Sequence, residues 1–438
     1  MSLKKCFVIF WFIFIVCVMC SCDINENAEN KTSSNASLTK KSCEGEIWEN
    51  ISWNPKKYSK QDEDYEYVYV KSEDGKYSWV IQVKRKNTSK SDTLRFPQSI
   101  NGAKLVRLGD FTMYEEDSNT DKEFNKNIFG EYVEVAHGSS GKCKSTEKIK
   151  NIIIPDSVQK IEAVALSGFD RMEEIKMPRN LESIGDYVFY KCSKLKRIKF
   201  FENVKDLSPR TFGECYNLEN VEIDKNNMHF VSENSMIFDR TKQKLLWICS
   251  SCKEIEIPDG VDELGEYLLY DSCLEKLSIP STVEKIHANS LDGPRLTQVS
   301  ISEQNKHFFI DKDCLIKRKD GALVLAVVKN KRIKLSKSVK IVDQNAMSSG
   351  DYWKSGYGQK LKVVEFSESV KELRGEWYSF CKDARKFIFH GIKPPQIKDV
   401  PEGTSKLFGW VKYSVPKKAK NVYKEWFKKN GVKKVELV

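Results

Sequence analysis

The chain has 438 residues, 40% of them hydrophobic and 31% charged, and carries a formal net charge of +11. That balance excludes a membrane helix bundle and a disordered chain, because both residue classes are present at ordinary globular levels. Length alone would give roughly two or three domains, but a repeat array escapes that estimate because each unit packs only on its neighbours.

In chain order, Lys4 and Lys5 precede an uncharged apolar run, Cys6 to Met19, which is too short to span a bilayer comfortably. The run ends in Val18-Met19-Cys20-Ser21-Cys22-Asp23. A small residue directly before a cysteine, after such a run, resembles a bacterial lipoprotein lipobox, although Met19 and Cys20 stand where an aliphatic and a small residue are commoner. The resemblance implies a signal peptide over 1–21, cleavage after Ser21 and lipidation of Cys22. An ordinary signal peptide cut nearby and an uncleaved anchor are the alternatives. Residues 22–60 read as a disordered tether, since Asp23 to Lys41 is rich in Asn, Ser, Thr and Lys and has little apolar surface to bury.

Residues 61–96 are expected to form a capping β-hairpin. Tyr65, Tyr67 and Tyr69 alternate, Glu73-Asp74-Gly75-Lys76 is a turn signal, and Tyr77, Trp79 and Ile81 follow. The polar, irregular stretch Met113 to Gly141 reads as a surface loop.

Residues 97–415 carry a repeat. An apolar-x-apolar triplet, often followed by Pro, recurs with its second apolar residue at 154, 177, 200, 223, 257, 279, 301, 335, 366 and 389. The steps are 23, 23, 23, 34, 22, 22, 34, 31 and 23, a basic period with tolerated insertions, which is the signature of a solenoid. Each unit continues with an aliphatic residue (Val158, Leu181, Val204), a second three residues later (Ile161, Ile184, Leu207), a bulky residue (Phe189, Phe212) and a Leu (Leu195, Leu218). Cys192 and Cys215 share one slot 23 apart, and small stacked apolar positions suit free buried thiols. A strand of three or four residues cannot stand alone, but stacked in parallel such strands satisfy each other's backbone and bury one continuous core. The copy Ile175, Met177, Pro178, Leu181, Ile184, Gly185, Phe189, Cys192, Leu195 resembles the BspA-like leucine-rich repeats of bacterial surface proteins. The likeness runs over roughly 64–430 and weakens after 335. It implies a first repeat around Phe96 to Phe111, hairpin insertions at Asp224 to Trp247 and Ser302 to Val328, and a closing unit from Tyr413 to Trp426. The fold expected is a β-rich leucine-rich-repeat solenoid: a single curved parallel sheet with short loops and helical turns, hairpin insertions and a C-terminal cap.

Residues 416–438 form a basic cap or tail, with eight lysines against Glu425 and Glu436. Contact with acidic polysaccharide or anionic lipid is one reading. The other is a solvated terminal helix docking through Val422, Trp426 and Phe427.

No catalytic constellation emerges. The five histidines, His137, His229, His287, His307 and His390, fall in different repeats without metal spacing. Of thirteen cysteines, nine lie beyond Cys22, an odd number without the spacing of a disulfide framework. Cys249-Ser250-Ser251-Cys252 is the one local motif; it reads as a loop with a local disulfide or free thiols, and remotely as a redox pair. No cofactor, metal or enzymatic activity is expected. The outward strand positions, among them Ile153, Lys176, Lys199, Glu222, Glu256 and Glu365, mix both signs, which argues against nucleic acid. Basic Lys176, Arg197 and Lys199 beside acidic Glu222, Glu254 and Glu256 are expected to form a dipolar binding patch. The function implied is a monomeric adhesion or protein-binding module for a protein or glycan at the bacterial cell envelope, held to the membrane through its lipid anchor at the outer surface or the periplasmic face. A periplasmic scaffold without external ligand is the alternative.

Overall fold

The apolar-x-apolar triplets become strands whose exposure alternates: in Glu174–Lys176, Ile175 is buried between exposed neighbours. The computed structural model describes residues 57–432 apart from 60–61, 110–124, 131, 134–143, 270–271, 288, 292–295, 328–330, 344–345, 348–360, 376, 378–383, 401–406 and 408–410. The lipobox with Cys22, the tether up to residue 56, most of the stretch 113–141 and the tail beyond residue 432 lie outside the described residues; Lys57–Ser59, read as the end of a disordered tether, is instead a strand paired antiparallel with Tyr65–Lys71, whose ladder supplies its backbone partners.

Strands Thr93–Arg95, Asn151–Ile153, Glu174–Lys176, Arg197–Phe200 and Asn220–Ile223 stack in parallel, one per turn, with equivalent residues opposite each other. A second parallel row forms from the aliphatic pair of each repeat: Lys160–Ile161, Ser183–Ile184 and Asp206–Leu207. Each turn is thus a flattened coil with a strand on either side. Val158, Leu181, Val204, Phe189 and Phe212 are buried between the rows, with the Phe189 and Phe212 rings stacked at 5.9 Å.

The two insertions are three-stranded antiparallel units. The first comprises Phe230–Glu233, Met236–Asp239 and Lys244–Ile248. The second comprises Phe308–Asp311, Cys314–Lys317 and Ala322–Ala326. In both, the last strand feeds a new second row, pairing with Glu263–Leu264 or with Ile341–Val342. Strand residues alternate between the two faces, and here both faces are buried. Ile237 and Trp247 pack into the core before the insertion, and Met236, Phe238 and Leu245 into the core after it. In the second, Phe308 and Leu315 serve the middle core, and Cys314, Ile316 and Leu323 the last. The expected continuous core is therefore three cores in series, and the insertions are partitions between them. The main sheet breaks at the same places, into strand sets starting at Thr93, Glu254 and Arg332.

Each partition is fixed by one buried asparagine. Asn227 Nδ2 donates to Phe201 O at 3.2 Å and Val204 O at 2.7 Å, while its Oδ1 accepts from the backbone of His229 and Phe230 at 2.8 Å. Asn305 repeats this, donating to Pro280 O at 3.1 Å and Val283 O at 2.9 Å and accepting from His307 and Phe308.

The ends are closed differently. Tyr65–Lys71 and Tyr77–Arg85 pair as an antiparallel hairpin that joins the second row through Ala103–Leu108. Tyr65, Tyr67 and Tyr69 are buried against the first core. Residues 127–129, inside the stretch read as a surface loop, are buried instead: Ile128 donates to Ala165 O at 2.8 Å and accepts from Val83 N at 2.6 Å. At the other end, helix Lys420–Lys429 docks through Tyr423 and Phe427. Val422, expected in that face, is 52% exposed, because the interior stripe runs through 423 and 427 and leaves 422 one residue off it. Tyr423 also donates to Gly391 O at 3.1 Å.

Candidate binding surface

The outward face of the first sheet is built rung by rung. In one column Arg95 lies opposite Ile153, Ile153 opposite Lys176, Lys176 opposite Lys199 and Lys199 opposite Glu222. In the other, Thr93 faces Asn151, Glu174 faces Arg197 and Arg197 faces Asn220. Neighbouring rungs are about 4.8 Å apart, so long side chains one turn apart reach each other.

Most charges on this ladder use that reach. Arg197 pairs with Glu174, Lys199 with Glu222, and Lys196 with Glu173 at 2.9 Å, each across one 23-residue step. The pairing holds the Glu173 carboxyl below its usual range and raises the Lys199 ammonium. Of the six residues proposed from sequence, the sheet brings together Lys176, Arg197, Lys199 and Glu222. Glu254 and Glu256 stand on the next sheet, beyond the first partition, where Glu254 pairs with Lys276. The charges are therefore arranged as alternating pairs rather than as a basic pole beside an acidic one.

Two cations stand apart from this compensation. Among the described residues neither Arg95 nor Lys176 has an ion-pair partner. They flank Ile153, which is 37% exposed, and all three line a shallow groove with Thr93, Asn151 and Phe201. Arg95 carried no repeat signal in the sequence, because its strand precedes the first full repeat. Its position is set by the cap: the hydroxyls of Tyr65 and Tyr67 donate to Thr93 O at 3.1 Å and Arg95 O at 2.5 Å. Glu365, expected to point outward, is buried, bonded to Arg332 Nε at 2.5 Å and within 3.0 Å of His390 Nε2. Burial disfavours its charged form, yet the bonds from His390 and Arg332 prevail and lower its pKa.

The described histidines do not converge: His287 sits at 2.8 Å from Glu263, His307 at 3.8 Å from Glu284 and His390 at Glu365. Among the described residues no group of three His, Cys, Asp or Glu side chains is placed to hold a metal, and no helix is long and apolar enough to cross a membrane.

Comparison with known proteins finds a family match over part of the chain. The model of the BspA type leucine-rich repeat region, in six copies, matches residues 139–246 and 242–317. The match takes in the charge ladder from Asn151 onward, the first partition and the start of the second, while the first rung, Thr93–Arg95, lies outside it. No curated protein matches the chain. Among solved structures, the pneumococcal vaccine antigen PcpA is 17% identical, with 87% of this chain and 98% of that one covered and a TM-score of 0.37. A leucine-rich cell surface protein of Faecalibacterium prausnitzii is 11% identical over 81% of this chain and 97% of its own, with a TM-score of 0.30. A leucine-rich repeat protein of Eubacterium ventriosum is 15% identical over 83% and 78%, with a TM-score of 0.31.

Proposed function

We propose that this protein is a non-catalytic adhesion or binding module of the bacterial cell envelope, capturing a protein or glycan with anionic groups on the face of its first sheet. One observation carries the reading: Arg95 and Lys176 stay uncompensated on either side of exposed Ile153, on a ladder whose other cations are paired. Two rungs separate them, about 10 Å, so one extended anionic chain reaches both while covering the apolar side chain between them. Exposed charge without a partner contributes little to folding and is free to steer an incoming ligand. Arg197, Lys199 and Glu222 form the rim of the same surface, and Lys199 exchanges its internal partner for a ligand carboxylate at small cost.

The experiment is capture from envelope extracts by the full chain, beside a variant carrying Arg95→Glu and Lys176→Glu. The double variant should keep its far-UV spectrum and lose roughly ten-fold in captured partner. Capture by the unsubstituted chain should fall as salt rises. Undiminished capture by the folded variant moves the site off this face. Protease accessibility on intact cells separates surface display from a periplasmic scaffold. Cys22→Ser should abolish lipid labelling; a variant that still partitions with detergent-phase lipoproteins overturns the anchor.

A further inference from the structure

Cys249 and Cys252 are not in an irregular loop. Cys192 Sγ donates to Leu166 O at 3.3 Å and Cys215 Sγ to Phe189 O at 2.9 Å, each in the bulky slot of the turn before; Cys249 Sγ bonds instead to Leu218 O, in the leucine slot of the turn before the partition. In each turn the residue three positions later closes the chain back: Leu195 N donates to Cys192 O, Leu218 N to Cys215 O, and Cys252 N to Cys249 O at 3.1 Å. Cys249 is thus the third member of the buried cysteine column, and Cys252 occupies the leucine slot of the repeat.

The substitution sets two cysteines across one turn. A turn closed in this way holds its end Cα atoms within about 7 Å, which overlaps the range of a disulfide. The two thiols influence each other's acidity, and Ser235, in the turn of the first partition, favours the Cys252 thiolate. Cys249 is fully buried, whereas Cys252 is only partly so.

We propose that Cys249 and Cys252 are an oxidisable dithiol that reacts with low-molecular-weight disulfides, Cys252 attacking and Cys249 resolving. The Cys252 thiolate attacks one sulfur of R–S–S–R, forming a mixed disulfide and expelling RS⁻. Cys249 then loses its proton to solvent, and its sulfur attacks that of Cys252, expelling a second RS⁻. Two electrons pass from the cysteines to the small disulfide, and the two released protons complete two RSH molecules. The acidities suit these roles. Interaction with Cys249 brings the Cys252 thiol down to about 7 against the opposing effect of burial, with help from Ser235. The same interaction, with burial, pushes Cys249 up, which keeps it a thiol until the mixed disulfide forms. Cys192, buried without such a neighbour, is pushed up to about 12 and serves as the inert control.

The test is the reduced full-length chain treated with oxidised glutathione at neutral pH and mapped by peptide mass spectrometry. The expected product is a Cys249–Cys252 disulfide, with Cys192 and Cys215 unmodified. Cys249→Ala should trap glutathione on Cys252. Cys252→Leu restores the leucine of the neighbouring turns, keeps the fold, and should abolish reaction at both positions. Maleimide should label Cys252 at least roughly ten-fold faster than Cys192 in the native protein. The proposal is overturned if Cys252 labels as slowly as Cys192, if its mixed disulfide persists unresolved in the unsubstituted chain, or if Cys252 pairs instead with Cys273, whose N–H bonds to Ser250 O one turn away.

Discussion

A regular turn such as 174–195 and a partition such as 230–248 bury apolar side chains in different ways. The turn presents one face to one core, and identical slots above and below share its load: Leu181, Phe189 and Cys192 each lie near an equivalent in the next turn. The partition presents two faces to two cores, and a buried asparagine, with Ser232 beside it, ties it to the turn before it. Regular turns are redundant, whereas a partition relies on a few polar residues that have no equivalent above or below. That difference allows the array to change register and resume its stacking with two intervals of 34 in place of 22 or 23.

The largest effect is expected where a shared slot loses its volume. Phe189→Ala should cost roughly 3–5 kcal/mol in denaturant unfolding, because its stacked partner Phe212 cannot collapse into the space. A cost near zero would mean that the turns relax independently and share no load.

Next comes the partition. Asn305→Ala strips partners from the Val283 carbonyl and from the His307 and Phe308 N–H groups, and should cost roughly 2–4 kcal/mol. Asn305→Asp should rescue little, since a carboxylate accepts but cannot donate to Val283 O. Hydrogen exchange should localise the loss to 302–326. Full rescue by Asp would break the contrast with the regular turns.

A third test uses pH at the seam after the first partition. Lys244, on its last strand, bonds to Glu263 in the following turn at 2.6 Å. Burial works against the Glu263 charge, but hydrogen bonds from Lys244, His287 and Lys285 outweigh it and hold the carboxyl at about 2. A folded pKa below the unfolded value of 4.5 adds stability that is fully present above that value and lost as pH falls toward about 2. Glu263→Gln should lower Tm at neutral pH, and the difference from the unsubstituted protein should shrink across that window. A difference independent of pH would leave the seam without an electrostatic part.

The smallest effect belongs to the column of thiols. Cys192→Ala should cost about 1 kcal/mol, since little volume is lost. Native Cys192 should resist bulky thiol reagents; fast labelling would take it out of the core.

The period, the phase of the regular first-row strands from Asn151 to Ile223 and the Cys192–Cys215 column were legible in the sequence because each rests on local alternation repeated at a fixed step, and stacking can satisfy such a pattern in only one register. The pattern Asn-x-His-Phe, at 227–230 and again at 305–308, was equally present but carried no meaning until the partitions gave each asparagine its carbonyls. Tertiary structure alone decided the rest. Arg197 and Lys199 lost their freedom to acids one turn away, while Arg95 and Lys176 kept theirs, because rung spacing rather than sequence spacing determines which charges meet. Glu365 went inside, bonded to Arg332 and to exposed His390, for the same reason. Cys252 took a leucine's place beside Cys249 because the turn after the first partition closes like the turns before it. That equivalence exists only once the inserted chain has folded away as a partition.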